Sequence, residues 1–214
     1  MWLWNESIDV LRESMLAYAQ ICNGNLGYGI LIVTFLVRLA LLPLGLRLAK
    51  IAQAHQRAMQ KIQPELDALK KKFERHPRRL AEETRRIMAR EGMSPLSAAG
   101  CIGALIQIPV FLALYGAVRQ VASIGGRFLW VRDISRPDVV VGVLATLFTL
   151  AATASGSSGP APNRAVILLM SAVVTAVALS NMAAGVGLYW GLSSLFGALQ
   201  GVAAVRWSPA AARR

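Results

Sequence analysis

The chain has 214 residues, of which 55% are hydrophobic, with a mean hydropathy of +0.49 and a formal net charge of +12. A soluble domain of this length does not carry that much uninterrupted apolar sequence, and the lack of two-residue alternation argues against a membrane β-barrel. Spread evenly, the positive charge would suggest nucleic acid. Its location along the chain gives it a different meaning.

Residues 1–25 do not look like a cleaved signal, because Glu6 and Asp9 precede any apolar run and no basic start is present. Trp4, Ile8, Leu11, Met15 and Tyr18 recur at helical spacing. That stripe suits either an external interfacial helix on the outer membrane surface or an ordinary packing helix. Residues 26–46 form the first apolar run long enough to cross a bilayer core of about 30 Å. Inside it stands Arg38.

A guanidinium in hydrocarbon costs about 2.5–3.5 kcal/mol on insertion scales. Arg47 marks the inner interface nine residues on, roughly 13 Å along a helix, which is too far for Arg38 to reach by snorkelling. None of the spans holds an acidic residue to neutralise it. Arg38 therefore predicts a water-filled cavity reaching in from the cytoplasm. Pro43 adds to this, since it cannot donate to the carbonyl of Leu39, one turn from Arg38.

From residue 47 to 92 the sequence turns charged but stays helical in pattern. Ile51, Ala54, Ala58, Ile62, Leu66, Leu69 and Phe73 form one stripe, and Leu80, Thr84, Ile87 and Met88 a second. His76-Pro77 separates them, predicting a cytoplasmic helical hairpin, with a turn or kink at Pro64 in its first arm. A second span follows at 93–118, with Gln107 near its middle and Pro109 expected to bend it. Gln107 is either a cavity residue or a helix–helix hydrogen bond.

Residues 119–138 read as an external loop with Phe128 and Trp130 at the aromatic belt. A third span at 139–154, a cytoplasmic loop at 155–164 and a fourth span at 165–181 follow. After a tight turn at Asn181–Gly185, a fifth span runs over 186–205, and 206–214 is a cytoplasmic tail. On the last span Gly187 with Gly191, and Gly197 with Gly201, are small-xxx-small pairs that favour close helix packing. Thr146, Thr149, Thr175, Ser193 and Ser194 are mild polar positions in the spans, mostly structural.

With this division seventeen Lys/Arg lie inside and five outside, Arg38 being the last of the 23. The positive-inside rule then puts the N-terminus outside and the C-terminus in the cytoplasm, which an odd number of spans satisfies. Cys22 and Cys101 fall at different depths, so no disulfide is expected. No metal-ligand spacing, cofactor motif or catalytic constellation is present, so neither a cofactor, a metal centre nor an enzyme is expected.

The order and spacing of four blocks resemble the YidC-type membrane protein insertases, a family with bacterial, mitochondrial and chloroplast members. The blocks are GILIVTFLVRLALLPL (29–44), IQPELDALKKKF (62–73), EGMSPLSAAGCIGALIQIPVFLALYGAV (91–118) and GVGLYWGL (185–192). The resemblance implies an all-α integral membrane protein of the bacterial inner (plasma) membrane. Five transmembrane helices would surround a groove open to cytoplasm and lipid. Arg38 matches the family's groove arginine, Gln107 its polar residue in the second span, and Trp190 the aromatic of the LYW motif.

The departures are Met182-Ala183-Ala184-Gly185 in place of the family's Phe-Pro-x-Gly turn, Ser193-Ser194 in place of a common Asn pair, and a short tail. The implied function is insertion and folding of nascent membrane proteins, with the ribosome and the Sec translocon as further partners. Two other readings stay open: a small transporter or channel with an anion-binding Arg38, and a membrane-tethered adaptor whose basic hairpin binds ribosomal RNA or anionic lipid. No sequence-specific nucleic-acid contact is expected.

Overall fold

The structure is a computed structural model, and it describes residues 2–74, 76–90, 92, 98–156 and 164–206. Among these, eight helices and one isolated β-bridge account for the regular structure. The helices are α1 (Trp2–Ile21), α2 (Leu26–Ala40), α3 (Leu42–Lys72), α4 (Pro77–Arg90), α5 (Ala98–Ala122), α6 (Val139–Gly156), α7 (Arg164–Ser180) and α8 (Ala184–Arg206). The protein is thus all-helical, as its apolar periodicity dictates.

α1 and α2 form a hairpin across a tight turn in which Asn23 and Gly24 take positive φ and the Asn25 side chain caps α2 by accepting from Gly27 N–H. Of the two readings of the first helix, the contacts are those of a packing helix. Met15 and Ala19 are buried, and Gly29 of α2 lies so close to the Met15 carbonyl that no side chain fits there. Ile8 meets α5 at Gly116. α1 therefore runs back along α2 and beside α5.

The directions of the remaining helices follow from paired positions. Gly187, Gly191, Gly197 and Gly201 of α8 face Val141, Ala145, Ala152 and Ser155 of α6 in ascending order, so α6 and α8 run parallel. The four glycines remove the side chains that would hold these helices apart, and α6 and α8 form an extensive interface. On the other side of α8, Gly185 meets Ile30 and Ser193 meets Arg38, so α2 also runs parallel to it. α5 is antiparallel to α8, with Ala122 at Gly185 and Phe111 at Tyr189.

The main core joins α1, α2, α5, α6, α8 and the segment between α5 and α6, around Met15, Ile30, Leu114, Val118, Ile134 and Tyr189. By length and composition α8 alone passes as a membrane-crossing helix among the described residues, and α2 with α3 passes as a pair bent by 61°. Ile108–Ala122, Val139–Ser155 and Arg164–Ser180 are shorter apolar helices.

The first apolar run is not one helix to residue 46. α2 stops at Ala40, and Leu41 forms the hinge to α3. Pro43 sits in the first turn of α3, where its missing N–H is no loss and its fixed φ suits helix initiation. The bend therefore falls two residues ahead of the proline.

Pro64, in contrast, starts no turn, since α3 continues through it. A proline inside a helix costs about 3 kcal/mol. Here Ile62 and Leu66 on either side of it are buried against Ile87 of α4, and Arg90 of α4 pairs with Glu65 at 2.6 Å. That packing keeps the helix together across the lost hydrogen bond.

Between α5 and α6, residues 123–138 fold back onto the ends of the helices. Phe128 and Val131 pair through two backbone hydrogen bonds of 2.9 and 2.7 Å and point inward. The carbonyls of Arg136 and Ile134 accept from Ala184 N–H (2.8 Å) and Gly185 N–H (3.0 Å), satisfying the free donors at the start of α8. Asp133 accepts from the backbone N–H and hydroxyl of Ser135, and these bonds hold its carboxyl below the usual range.

The sign follows from that depression. The stabilisation is present above the unfolded value of about 3.9 and is lost as pH falls through the lower folded value. Hydrogen exchange at Ser135 N–H should therefore stay protected to below about pH 4. In Asp133→Asn, protection should be weaker at neutral pH and insensitive to acid.

Candidate functional site

Arg38 lies on the last turn of α2, just before the Leu41 hinge, and is partly buried. Its Nε donates to Ser193 Oγ of α8 at 3.2 Å. No ion pair to Arg38 exists among the described residues, and none of the apolar helices carries a carboxylate that could supply one. Arg38 lines a cavity of about 210 Å³ together with Phe111, Thr149, Trp190, Ser193 and Ser194. Four helices thus meet at one cation.

Each wall has a local reason for its place. α8 presents Trp190 and Ser194 at i and i+4, so both reach the same face. Trp190 Nε1 donates to Thr149 Oγ1 of α6 at 3.1 Å, and Thr149 shares a 3.0 Å hydrogen bond with Ser194. Thr149 also donates back to Ala145 O, a bond that frees it from needing water. Phe111 of α5 stands edge-on to the Trp190 ring with centroids 5.7 Å apart. Behind it Tyr189 is fully buried and its hydroxyl donates to Phe111 O at 3.3 Å, tying α8 to α5. Thr34, four residues before Arg38 on the same face of α2, is buried with its hydroxyl unpartnered.

The arrangement is a fixed cation beside hydroxyl and indole donors, with apolar walls on either hand. It can attract an anionic or strongly polar group and offer it hydrogen bonds in place of water. No group of residues able to hold a metal ion occurs among the described residues.

Of the residues singled out in the sequence, Arg38 and Trp190 line one cavity. Gln107 lies on α5 one turn before Phe111, with its side chain outside the described residues. Pro43 and Pro109 do not line it. Pro43 opens α3, and Pro109, inside continuous α5, borders a separate groove with Trp4 and Val37. Leu41 N–H donates to Val37 O at 3.0 Å, which closes α2 at the hinge.

The sequence alone missed Phe111 and Tyr189. Both are apolar-run aromatics, and the available signal was spacing: Tyr189 precedes Ser193 by one turn, and Phe111 follows Gln107 by one turn. The hydroxyl partner of Arg38 was also unforeseen, although Ser193 stood among the mild polar positions.

The family described as 60Kd inner membrane protein matches residues 17–210. Membrane protein insertase YidC 1 of Halalkalibacterium halodurans is 33% identical over 192 residues, covering 87% of this chain and 72% of that protein. Membrane protein insertase MisCA of Bacillus subtilis is 30% identical over 205 residues, covering 90% of this chain and 76% of that protein. A solved structure of the active YidC insertase with its first transmembrane domain resolved aligns with a TM-score of 0.63 at 23% identity. It covers 97% of this chain and 47% of that one, so the chain spans about half of that protein and shares its fold. With nearly the whole sequence matched and relatives named alike, the chain belongs to the 60Kd inner membrane protein family, the YidC-type insertases.

Proposed function

We propose that this protein is a membrane protein insertase that inserts nascent membrane proteins and helps them fold, using the Arg38 cavity as a polar way-station. The observation that carries the reading is a partly buried guanidinium that donates to the Ser193 hydroxyl and lines a cavity among four helices. The family's membrane location and its relatives' names support the same reading.

In this reading α2, α5, α6, α7 and α8 are the five spans of a bacterial inner-membrane protein, with the start of α2 outside and the C-terminus in the cytoplasm. α1 runs back along α2 and α5 from the turn at Asn25, which brings Trp4 to the level of Val37 and Pro109. The charge asymmetry supports that orientation, because the basic α3–α4 hairpin and the tail fall on one side of it. The hairpin receives the nascent chain, and anionic lipid, the ribosome and the Sec translocon are the partners suited to its basic surface.

A polar or acidic segment of the substrate enters the cavity from the cytoplasm and is held by Arg38, Ser193 and the Thr149–Ser194 pair. α6 and α7, of 18 and 17 residues, are about 27 and 25 Å long, shorter than a hydrocarbon core of about 30 Å. Short spans thin the local bilayer and shorten the path the polar segment crosses. The substrate's apolar segment then enters lipid, and its removal from water drives the process, with no nucleotide or chemical step.

Reconstitution into liposomes with a short single-span test protein checks this. Protease protection of the translocated segment should depend on the insertase. Equal protection in empty liposomes, or solute flux without insertion, would transfer the case to the channel reading.

A further inference from the structure

On the side of the helices opposite the hairpin, two cavities meet at Trp130. One, of about 160 Å³, is an apolar slot between α2, α6 and α8, lined by Leu31, Leu144, Phe148, Leu188 and Leu192. The other, of about 370 Å³, is polar and lies within the loop, bordered by Arg132, Asp133, Arg136 and Asp138. Trp130 borders both and is half exposed, its Nε1 3.4 Å from Asp138 Oδ1.

From these adjoining cavities we infer that an anionic phospholipid occupies this corner, with one acyl chain in the slot and its phosphate against Arg132 and Arg136. The inference rests on reading α2, α6 and α8 as membrane spans. Slot residues on α8 run from Gly187 to Leu195, about 12 Å along the helix, so the slot follows the direction an acyl chain takes in a leaflet. The tryptophan at its mouth has the position of an interfacial ring.

The polar end holds two arginines and two carboxylates, and the carboxylates are turned to partners within the loop and the start of α6. Both carboxylates bordering it are already engaged: Asp133 by Ser135 and by Arg136 at 3.6 Å, Asp138 by the backbone N–H of Val141 and by Trp130. Arg132 makes no ion pair among the described residues, and Arg136 is exposed. Residues 119–138 as a whole carry four arginines against two aspartates. That excess favours an anionic headgroup over a zwitterionic one.

The backbone of the loop supports the same occupant. Phe128 and Val131 close a two-residue turn whose first central residue, Leu129, has φ 48°. This is a place that favours glycine, and a bulky residue there is sterically disfavoured. The conformation leaves Leu129 60% and Trp130 50% exposed, between Arg127 and Arg132. An apolar tip with arginines on both flanks is what a phospholipid surface accommodates, hydrocarbon below and phosphate beside.

Native mass spectrometry of the full chain in detergent, titrated with phosphatidylglycerol, phosphatidylcholine or inorganic phosphate, tests this. Wild type should retain one phosphatidylglycerol in preference to phosphatidylcholine and show no retention of inorganic phosphate. An arginine near an anionic lipid surface is worth about fivefold in affinity. The double variant Arg132→Gln/Arg136→Gln should therefore lose about twentyfold for phosphatidylglycerol and bind the two lipids alike. Leu144→Trp, which fills the slot from its exposed edge, should weaken both lipids.

Arg206→Gln, at the far end of α8, should behave as wild type, and circular dichroism confirms that each variant is folded. Equal retention of both lipids by wild type, or unchanged retention in the folded double and slot variants, overturns the inference. Because lipid is read without substrate, a protein that retains lipid yet fails to insert a test protein loses the insertase reading alone.

Discussion

Arg38→Ala should reduce insertion of substrates with acidic leading segments by about ten- to a hundredfold, while substrates with neutral leading segments insert within about twofold of wild type. Two unit charges about 4 Å apart attract by about 4 kcal/mol at an effective dielectric of about 20. A half-wet cavity realises only part of that, and each factor of ten corresponds to about 1.4 kcal/mol. Arg38→Lys keeps the charge but not the planar donor that meets Ser193. It should fall between wild type and alanine. Ser193→Ala removes one hydrogen bond, worth about 1 kcal/mol, and should have the smallest effect of the three. The measurement is insertion yield of paired substrates that differ only in the charge of the leading segment. Equal loss for both members of the pair would mean that Arg38 serves folding and not recognition.

The second large effect is structural. In Gly187→Leu the new Cβ would lie 2.7 Å from Val141 Cγ1, with the rest of the leucine still to be placed. Val141 is buried at the α6 interface and cannot withdraw, so the two helices must separate. Overpacking of this kind costs about 3 kcal/mol. For 214 residues that lowers Tm in detergent by about 10 °C.

Gly197→Ala is the contrasting case. Its Cβ would lie 3.6 Å from Ala152, an ordinary contact, and Tm should stay within about 2 °C of wild type. If both variants melt as wild type, α6 and α8 do not pack through these glycines. Separation of α6 from α8 would also pull Thr149 away from Trp190 and Ser194, so Gly187→Leu should impair insertion even where it remains folded.

Local physics was enough for much of this protein. Long apolar runs can only become buried or membrane-embedded helices, so the all-helical character was legible in composition and periodicity. The charge asymmetry between segments sets an expected orientation, and Arg38 announces itself as the one cation in an apolar run, because its desolvation is expensive wherever it goes. The break at His76-Pro77 and the stripes on either side of it are likewise properties of neighbours in sequence.

What required the tertiary structure were the relations between distant residues. Three-residue spacing cannot say that Ser193 would meet Arg38, 155 residues away, nor that Thr149 would hold the Trp190 indole. The hinge fell at Leu41 and not at the proline, and α3 passed intact through Pro64, because packing outweighed the local backbone penalty. Propensities act within a few residues, whereas the Arg38 cavity is made where four helices from separate parts of the chain converge. Only their mutual packing decides which side chains share its walls.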